Sequence, residues 1–117
     1  MSGTDPKDKA LVIGKLALEK KAAEVVILDV RKVSAFCDYF VIAGAGSFKK
    51  NKAIADYIEE SLDKKRVMPH HVEGKEDCQW ILLDYGDVVA HLFYEETRRF
   101  YDLERLWGDA ERLELGG

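Results

Sequence analysis

Three sets of residues in this 117-residue chain have side chains suited to chemistry, and spacing decides what each can do. The first is a set of carboxylates, Asp56 with Glu59 and Asp84 with Asp87, downstream of a Gly46-Ser47 turn. In nucleotidyl transfer, such a turn precedes two acids on one strand face. Their metal ions polarise the transferring phosphate and the attacking hydroxyl. The spacing here does not fit. Asp56 and Glu59 fall in a stretch of helical periodicity among charged neighbours, and Asp84 and Asp87 lie three apart across a turn. Neither pair projects from one strand face as residues i and i+2 do. The second set, His70, His71, His91, Cys37 and Cys78, has a scatter that matches no structural or catalytic zinc pattern. The third comprises Ser47 and Cys78, nucleophiles with no local sign of an activating base. The expectation is therefore no catalytic residue, no metal and no cofactor, with both cysteines as free thiols of a reducing compartment.

Anion binding is the remaining chemical option. Gly44-Ala45-Gly46-Ser47 leads from an apolar run into a helical segment, and such a turn can offer backbone N–H groups to a phosphate. Lys49, Lys50 and Lys52 come first and Asp56, Glu59 and Glu60 later, against the order the helix macrodipole favours. A bound anion would account for the inversion. A solvated lysine face accounts for it with no ligand, and the glycine pattern is neither a dinucleotide fingerprint nor a P-loop.

The elements that must position these residues are readable in order. Asp5-Pro6-Lys7-Asp8 starts a helix, with Asp5 as N-cap and Pro6 at the first helical position. Ala10, Ile13, Gly14 and Ala17 form its apolar stripe, widened by Leu11 and Leu18, and Lys20-Lys21 close it. Glu24 to Val30 and Tyr39 to Ala43 read as buried strands. Ile54, Ile58 and Leu62 mark one face of a second helix, Pro69 breaks the pattern, and His70 to Glu73 reads as a short edge strand before a loop at Gly74 to Cys78. Phe100, Leu103 and Trp107 mark a third helix.

The clearest local signal lies between. Trp80 to Tyr85 and Val88 to Phe93 are apolar runs joined by Gly86-Asp87, which predicts a tight β-hairpin. That register pairs Tyr85 with Val88, Leu83 with Ala90 and Ile81 with Leu92, a wholly apolar face for helices to cover. Trp80, Leu82, Asp84, Val89, His91 and Phe93 share the other face, which is large, partly aromatic and mixed in polarity. An exposed patch of that character marks a binding site; a terminal helix lying over it is the alternative.

Composition bounds the rest. With 47% hydrophobic and 34% charged residues the chain reads as one soluble domain over residues 1–117, its core at about 5–108. The predicted architecture is α+β, a mixed sheet of about five strands with helices mainly on one face. No apolar run nears the roughly 18 residues of a membrane span, and the first residues lack the pattern of a secretory or transit signal, so a cytoplasmic protein is expected. The net charge of −4 argues against direct nucleic-acid binding as the main source of affinity and suits a basic protein partner. A solubilising acidic surface is the simpler account of that charge, and a homodimer is left open.

Several stretches, each modest, recur together in one family: Lys20-Lys21-Ala22, Val26 to Val30, Asp38 to Ala43, Ala53 to Asp56, Val72-Glu73-Gly74, Trp80 to Phe93 and Arg98 to Trp107. Through them the chain resembles the Iojap-like ribosome-silencing factors from about Ala10 to Trp107. The resemblance implies a nucleotidyltransferase-like fold without catalytic carboxylates, and a binding protein rather than an enzyme. It further implies docking on ribosomal protein fourteen of the large ribosomal subunit, sterically blocking subunit joining and so repressing translation when nutrients are scarce. The family's contact surface includes the sheet face and the Trp-x-Leu-x-Asp strand, here Trp80, Leu82 and Asp84. His91 and Phe93, on the same hairpin face, complete the expected partner-binding set. One departure stands out: where members read Ala-Thr-Gly-x-Ser, this chain has Ala43-Gly44-Ala45-Gly46-Ser47, with Ala45 at the family's glycine position. A degenerate nucleotidyltransferase that keeps some activity, and an interaction module without ribosomal association, are the other function classes.

Overall fold

A computed structural model describes residues 5–97 and 110–113. The first helix, α1 (Pro6–Glu19), begins where Asp5 accepts a hydrogen bond from the Lys7 N–H at 3.2 Å, with Pro6 in the first turn. It buries Ala10, Ile13, Gly14 and Ala17, the stripe its spacing predicts. Three of those four side chains are small or absent, so the helix can lie close against the sheet. Leu11 packs beside the stripe, whereas Leu18 stays 46% exposed and does not widen it. Strand β1 (Ala23–Asp29) and strand β2 (Tyr39–Ala45) pair antiparallel, with a register shift between Ala23 and Val26.

Ser47 caps α2 (Phe48–Asp63) by accepting the Lys50 N–H at 3.0 Å, and Asn51, Ile54, Ala55, Ile58 and Leu62 face inward. The second helix returns the chain to β3 (His71–Glu73), an edge strand, and then to the hairpin of β4 (Trp80–Asp84) and β5 (Val88–Tyr94). Residues 95–97 are helical; the expected third helix with Phe100, Leu103 and Trp107 lies outside the described residues.

The sheet order is β3-β4-β5-β2-β1-β6, and every neighbouring pair is antiparallel except β2 and β5. The α+β class holds, with six strands rather than about five. The addition is β6 (Glu111–Leu113), which pairs with β1 through Ile27 and Leu113, beyond the end expected for the core. Three residues, Glu-Arg-Leu, are too few to show an alternation, so this edge strand leaves no readable pattern.

Both described helices pack on one face of the sheet. Ile27, Tyr39, Val41, Ala43, Ile81, Leu83, Val88, Ala90 and Leu92 meet the α1 and α2 stripes there in one buried core. A smaller core lies on the opposite face, formed by Leu28, Val30, Cys37, Ile42 and Phe93, with Val26, Phe40, Trp80, Val89 and Ala110 partly buried around it. Ala45 ends β2 in regular register opposite Tyr94 and is buried in the larger core. Its backbone therefore needs no glycine, and the departure from the family pattern is a packed methyl group at a strand end.

Candidate partner-binding face

The predicted hairpin register is the observed one: Ile81 pairs with Leu92 and Leu83 with Ala90, and the Tyr85 N–H meets the Val88 carbonyl at 2.9 Å. Gly86 links the strands at φ +90°, a conformation open to glycine that gives the turn the twist of a two-residue hairpin. Period-2 alternation then places Trp80 opposite Phe93, Leu82 opposite His91 and Asp84 opposite Val89 on the face away from the helices. All five expected contact residues therefore stand together.

They differ in what they can touch. Trp80, Leu82 and Asp84 are half-buried, His91 is 8% exposed and Phe93 is fully buried. The expectation that His91 and Phe93 meet a partner directly needs correction, because their neighbours cover them. Trp80 lies over Phe93 with ring centroids 4.9 Å apart, and Phe40 sits edge-on to His91 at 4.7 Å. Strand alternation says which side a residue faces and nothing about what lies above it.

His91 has an inward role instead. The Trp80 indole Nε1–H donates to His91 Nδ1 at 3.1 Å. An indole nitrogen can only donate, so Nδ1 must be the bare nitrogen and the ring proton sits on Nε2. Among the described residues, Nε2 is buried without a partner. Burial lowers the imidazole pKa to about 4, so the ring is neutral at physiological pH. An unmade hydrogen bond at a buried donor costs about 1–3 kcal/mol. What the arrangement secures is the orientation of Trp80, whose polar edge is turned inward while part of its apolar surface meets solvent. The loop before β4 fixes the indole's backbone as well. Gly74, at φ +89°, lies so close to the Trp80 carbonyl that any Cβ there would collide with it.

Asp84 is partly committed to the turn. One carboxylate oxygen accepts the Gly86 N–H at 2.8 Å, and its carbonyl accepts the His70 N–H at 2.7 Å. Asp87 is held by Lys9 Nζ at 2.8 Å, while its carbonyl accepts from the Asp38 N–H at 2.8 Å, the Tyr39 N–H at 3.1 Å and the Cys37 thiol at 3.3 Å. On α2, Asp56 pairs with Lys52 at 2.9 Å and Lys75 at 2.8 Å, and Lys75 also pairs with Glu59. Burial would raise the Asp56 pKa, but the lysine hydrogen bonds outweigh it and the net shift is downward. These acids thus serve as turn caps and ion-pair partners, not as a strand-face pair.

The cysteines are free and buried. Burial raises the Cys37 thiol to about 11, with Asp38 and Asp84 adding to the rise, so it is no ready nucleophile. Ser47 is engaged as a helix cap, and the described residues contain no group of three or more acids, histidines or cysteines placed to hold a metal. No described helix is long and apolar enough to cross a membrane. At the start of α2, an added Cβ on Gly46 would meet nothing within 4 Å, leaving the turn open to solvent.

Against this geometry the comparisons with known proteins decide the family. A family model described as "Ribosomal silencing factor during starvation" matches residues 4–117. This chain belongs to that family. It is 39% identical over 99 residues to "Ribosomal silencing factor RsfS" of Halalkalibacterium halodurans, covering 85% of each chain. With the protein of the same name from Bacillus subtilis it shares 38% over 97 residues, 83% of this chain and 82% of that one. It is also 35% identical over 106 residues to "Protein Iojap, chloroplastic" of Arabidopsis thaliana, spanning 91% of this chain and 44% of the longer plant protein. A crystal structure from Chromobacterium violaceum superposes with a TM-score of 0.86 at 28% identity, covering 90% of this chain and 88% of that one. One from Bacillus halodurans gives 0.78 at 33% identity, covering 89% and 95%. The resemblance read from the motifs is therefore family membership, and the ribosomal silencing factor fold extends across the chain.

Of the exposed apolar residues that escaped the sequence reading, Val33, Phe36, Phe48 and Met68, Phe36 is the most exposed. Phe36, in the loop between β1 and β2, is 93% exposed. It lies outside any periodic stretch, so no pattern distinguishes it from a buried loop aromatic.

Proposed function

We propose that this ribosomal silencing factor represses translation in the cytoplasm by binding the large ribosomal subunit through ribosomal protein fourteen and sterically blocking small-subunit joining. The observation that carries the reading is family membership over residues 4–117, with relatives named as ribosomal silencing factors at 38–39% identity. The half-covered face of β4 and β5 supports it: an oriented Trp80, the apolar Leu82 and the acceptor Asp84 form the mixture of anchor and polar group that interfaces use. A net charge of −4 suits encounter with a basic ribosomal protein. The protein acts by occupancy, not by catalysis, since the carboxylates that a transferase would need are tied into turns and lysine pairs.

The test is cosedimentation of the purified protein with isolated large subunits at low micromolar concentration, followed by a subunit-joining assay. Binding together with a reduced yield of joined ribosomes is expected. A protein that stays at the top of the gradient sinks the reading, and metal-dependent incorporation of labelled nucleotide would move it toward the transferase class.

A further inference from the structure

Phe36 is an aromatic side chain displayed in water by a loop with little freedom to hide it. Val33 and Ser34 N–H groups both bond the Val30 carbonyl, at 3.0 and 2.8 Å, and the Val30 N–H bonds the Asp38 carbonyl at 2.9 Å. The Phe36 N–H meets Ser34 Oγ at 3.2 Å. Cys37 then locks the next position: its side chain is part of the small core with Phe93, and its thiol donates to the Tyr39 and Asp87 carbonyls. The loop is thus fastened at both ends and to the hairpin turn. Val33, 45% exposed on the same loop, adds to the apolar surface.

The loop also borders the face described above. Cys37 belongs to the core under Trp80 and lies within the electrostatic reach of Asp84. The geometry points to Phe36 as a second anchor of the docking surface, seated in an apolar pocket on a basic partner protein. This rests on the proposed binding to the large subunit and extends it to a segment outside the hairpin. An aromatic carried on a fastened loop costs little backbone freedom on binding and has only two side-chain torsions to fix, which suits an interface anchor. The charges around it choose the partner. Arg31 is neutralised by both carboxylate oxygens of Asp29, and Asp87 by Lys9. Among the described residues, that leaves Asp38, Asp84 and Glu111 against Lys32, with Glu111 beside Lys32 and Val33. A nucleobase can also stack on an exposed aromatic, but this acidic rim repels the phosphates that would come with it.

The experiment measures affinity of the full chain for isolated large subunits. Phe36→Ala should weaken binding about tenfold or more, with the thermal unfolding midpoint unchanged because the ring is already in water. Phe36→Leu should stay within about threefold of the parent, since a pocket needs apolar volume and not a π face. Leu18→Ala, exposed on the helix layer, should bind as the parent does. If the parent binds and Phe36→Ala binds within about twofold of it, the second anchor is wrong while the wider function stands. If Phe36→Leu is as weak as Phe36→Ala and single-stranded RNA competes for the parent, the partner is RNA and the inference is overturned. A parent that does not bind large subunits removes both.

Discussion

The two faces of the β4–β5 hairpin are built from alternate residues of the same twelve-odd positions, yet they follow different rules. On the helix side Ile81, Leu83, Ala90 and Leu92 are fully buried and carry no side-chain polar atom, and the one polar group, the Tyr85 hydroxyl at the hairpin end, has no hydrogen-bond partner among the described residues. On the other side, a neutral histidine has a nitrogen with no partner among the described residues, a tryptophan is half in solvent, and an aspartate commits one oxygen to a turn. The first arrangement maximises burial. Each face buries one polar atom without a partner among the described residues, but only on the second does the group concerned hold an indole in one orientation. A face whose buried polar group serves to place an exposed aromatic is where a partner is to be sought, and the contrast is more informative than either face alone.

The largest expected effect tests the first half of that contrast. Leu83→Ala leaves a cavity in the helix-side core and should cost about 2–5 kcal/mol of stability, read from denaturant unfolding. If Leu83→Ala were tolerated while Trp80→Ala unfolded the chain, the roles of the two faces would be exchanged.

Acidification probes the buried imidazole. His91 has a folded pKa of about 4 against an ordinary value of 6.5. Between those values the unfolded chain binds a proton that the folded chain refuses, so stability falls as pH falls through this window. The full loss is about 3 kcal/mol, spread between about pH 6.5 and 4, and roughly half of it should appear above pH 5, clear of the carboxylate range. His91→Gln should flatten that part of the curve. An unchanged slope would show that the imidazole is not held neutral.

Trp80→Ala should weaken large-subunit binding by about 2 kcal/mol, some thirtyfold, as measured by titration. Because the indole also covers Phe93, a stability loss of about 1–2 kcal/mol accompanies it, smaller than that of Leu83→Ala. Equal affinity with the parent would leave the oriented indole without a purpose.

Asp84 should give the smallest difference. Asp84→Asn keeps an acceptor for the Gly86 N–H and should weaken binding by about 1 kcal/mol or less, while Asp84→Lys adds repulsion toward a basic partner and should weaken it further. Reversal of that order would mean that the partner surface is acidic.

How much of this was legible follows from the kind of signal each residue carries. The α1 stripe of Ala10, Ile13, Gly14 and Ala17 and the pairing of Ile81 with Leu92 were readable, because period and turn chemistry act locally. The side of the sheet on which Trp80, Leu82, Asp84, His91 and Phe93 stand was readable for the same reason. Their unequal burial was not, since cover comes from Phe40 and other residues remote in sequence. The three residues of β6 are edge structure defined by the partner strand, and Phe36 sits where no repeat exists to be counted. The Trp80–His91 hydrogen bond joins neighbouring strands diagonally across the same face, a contact that register permits and side-chain rotamers decide.

The Asp87 carbonyl, which receives Cys37, Asp38 and Tyr39 together, also sets an order of assembly. The β4–β5 hairpin closes over a two-residue connection and can form early, whereas β2 must find β5 across the whole of α2, β3 and β4. The loop bearing Phe36 is pinned to a turn that exists only after the hairpin has closed, so it acquires its shape late. A nascent or partly folded chain would therefore lack part of the proposed docking surface. On the proposed function, competence to bind would be coupled in this way to the completion of folding.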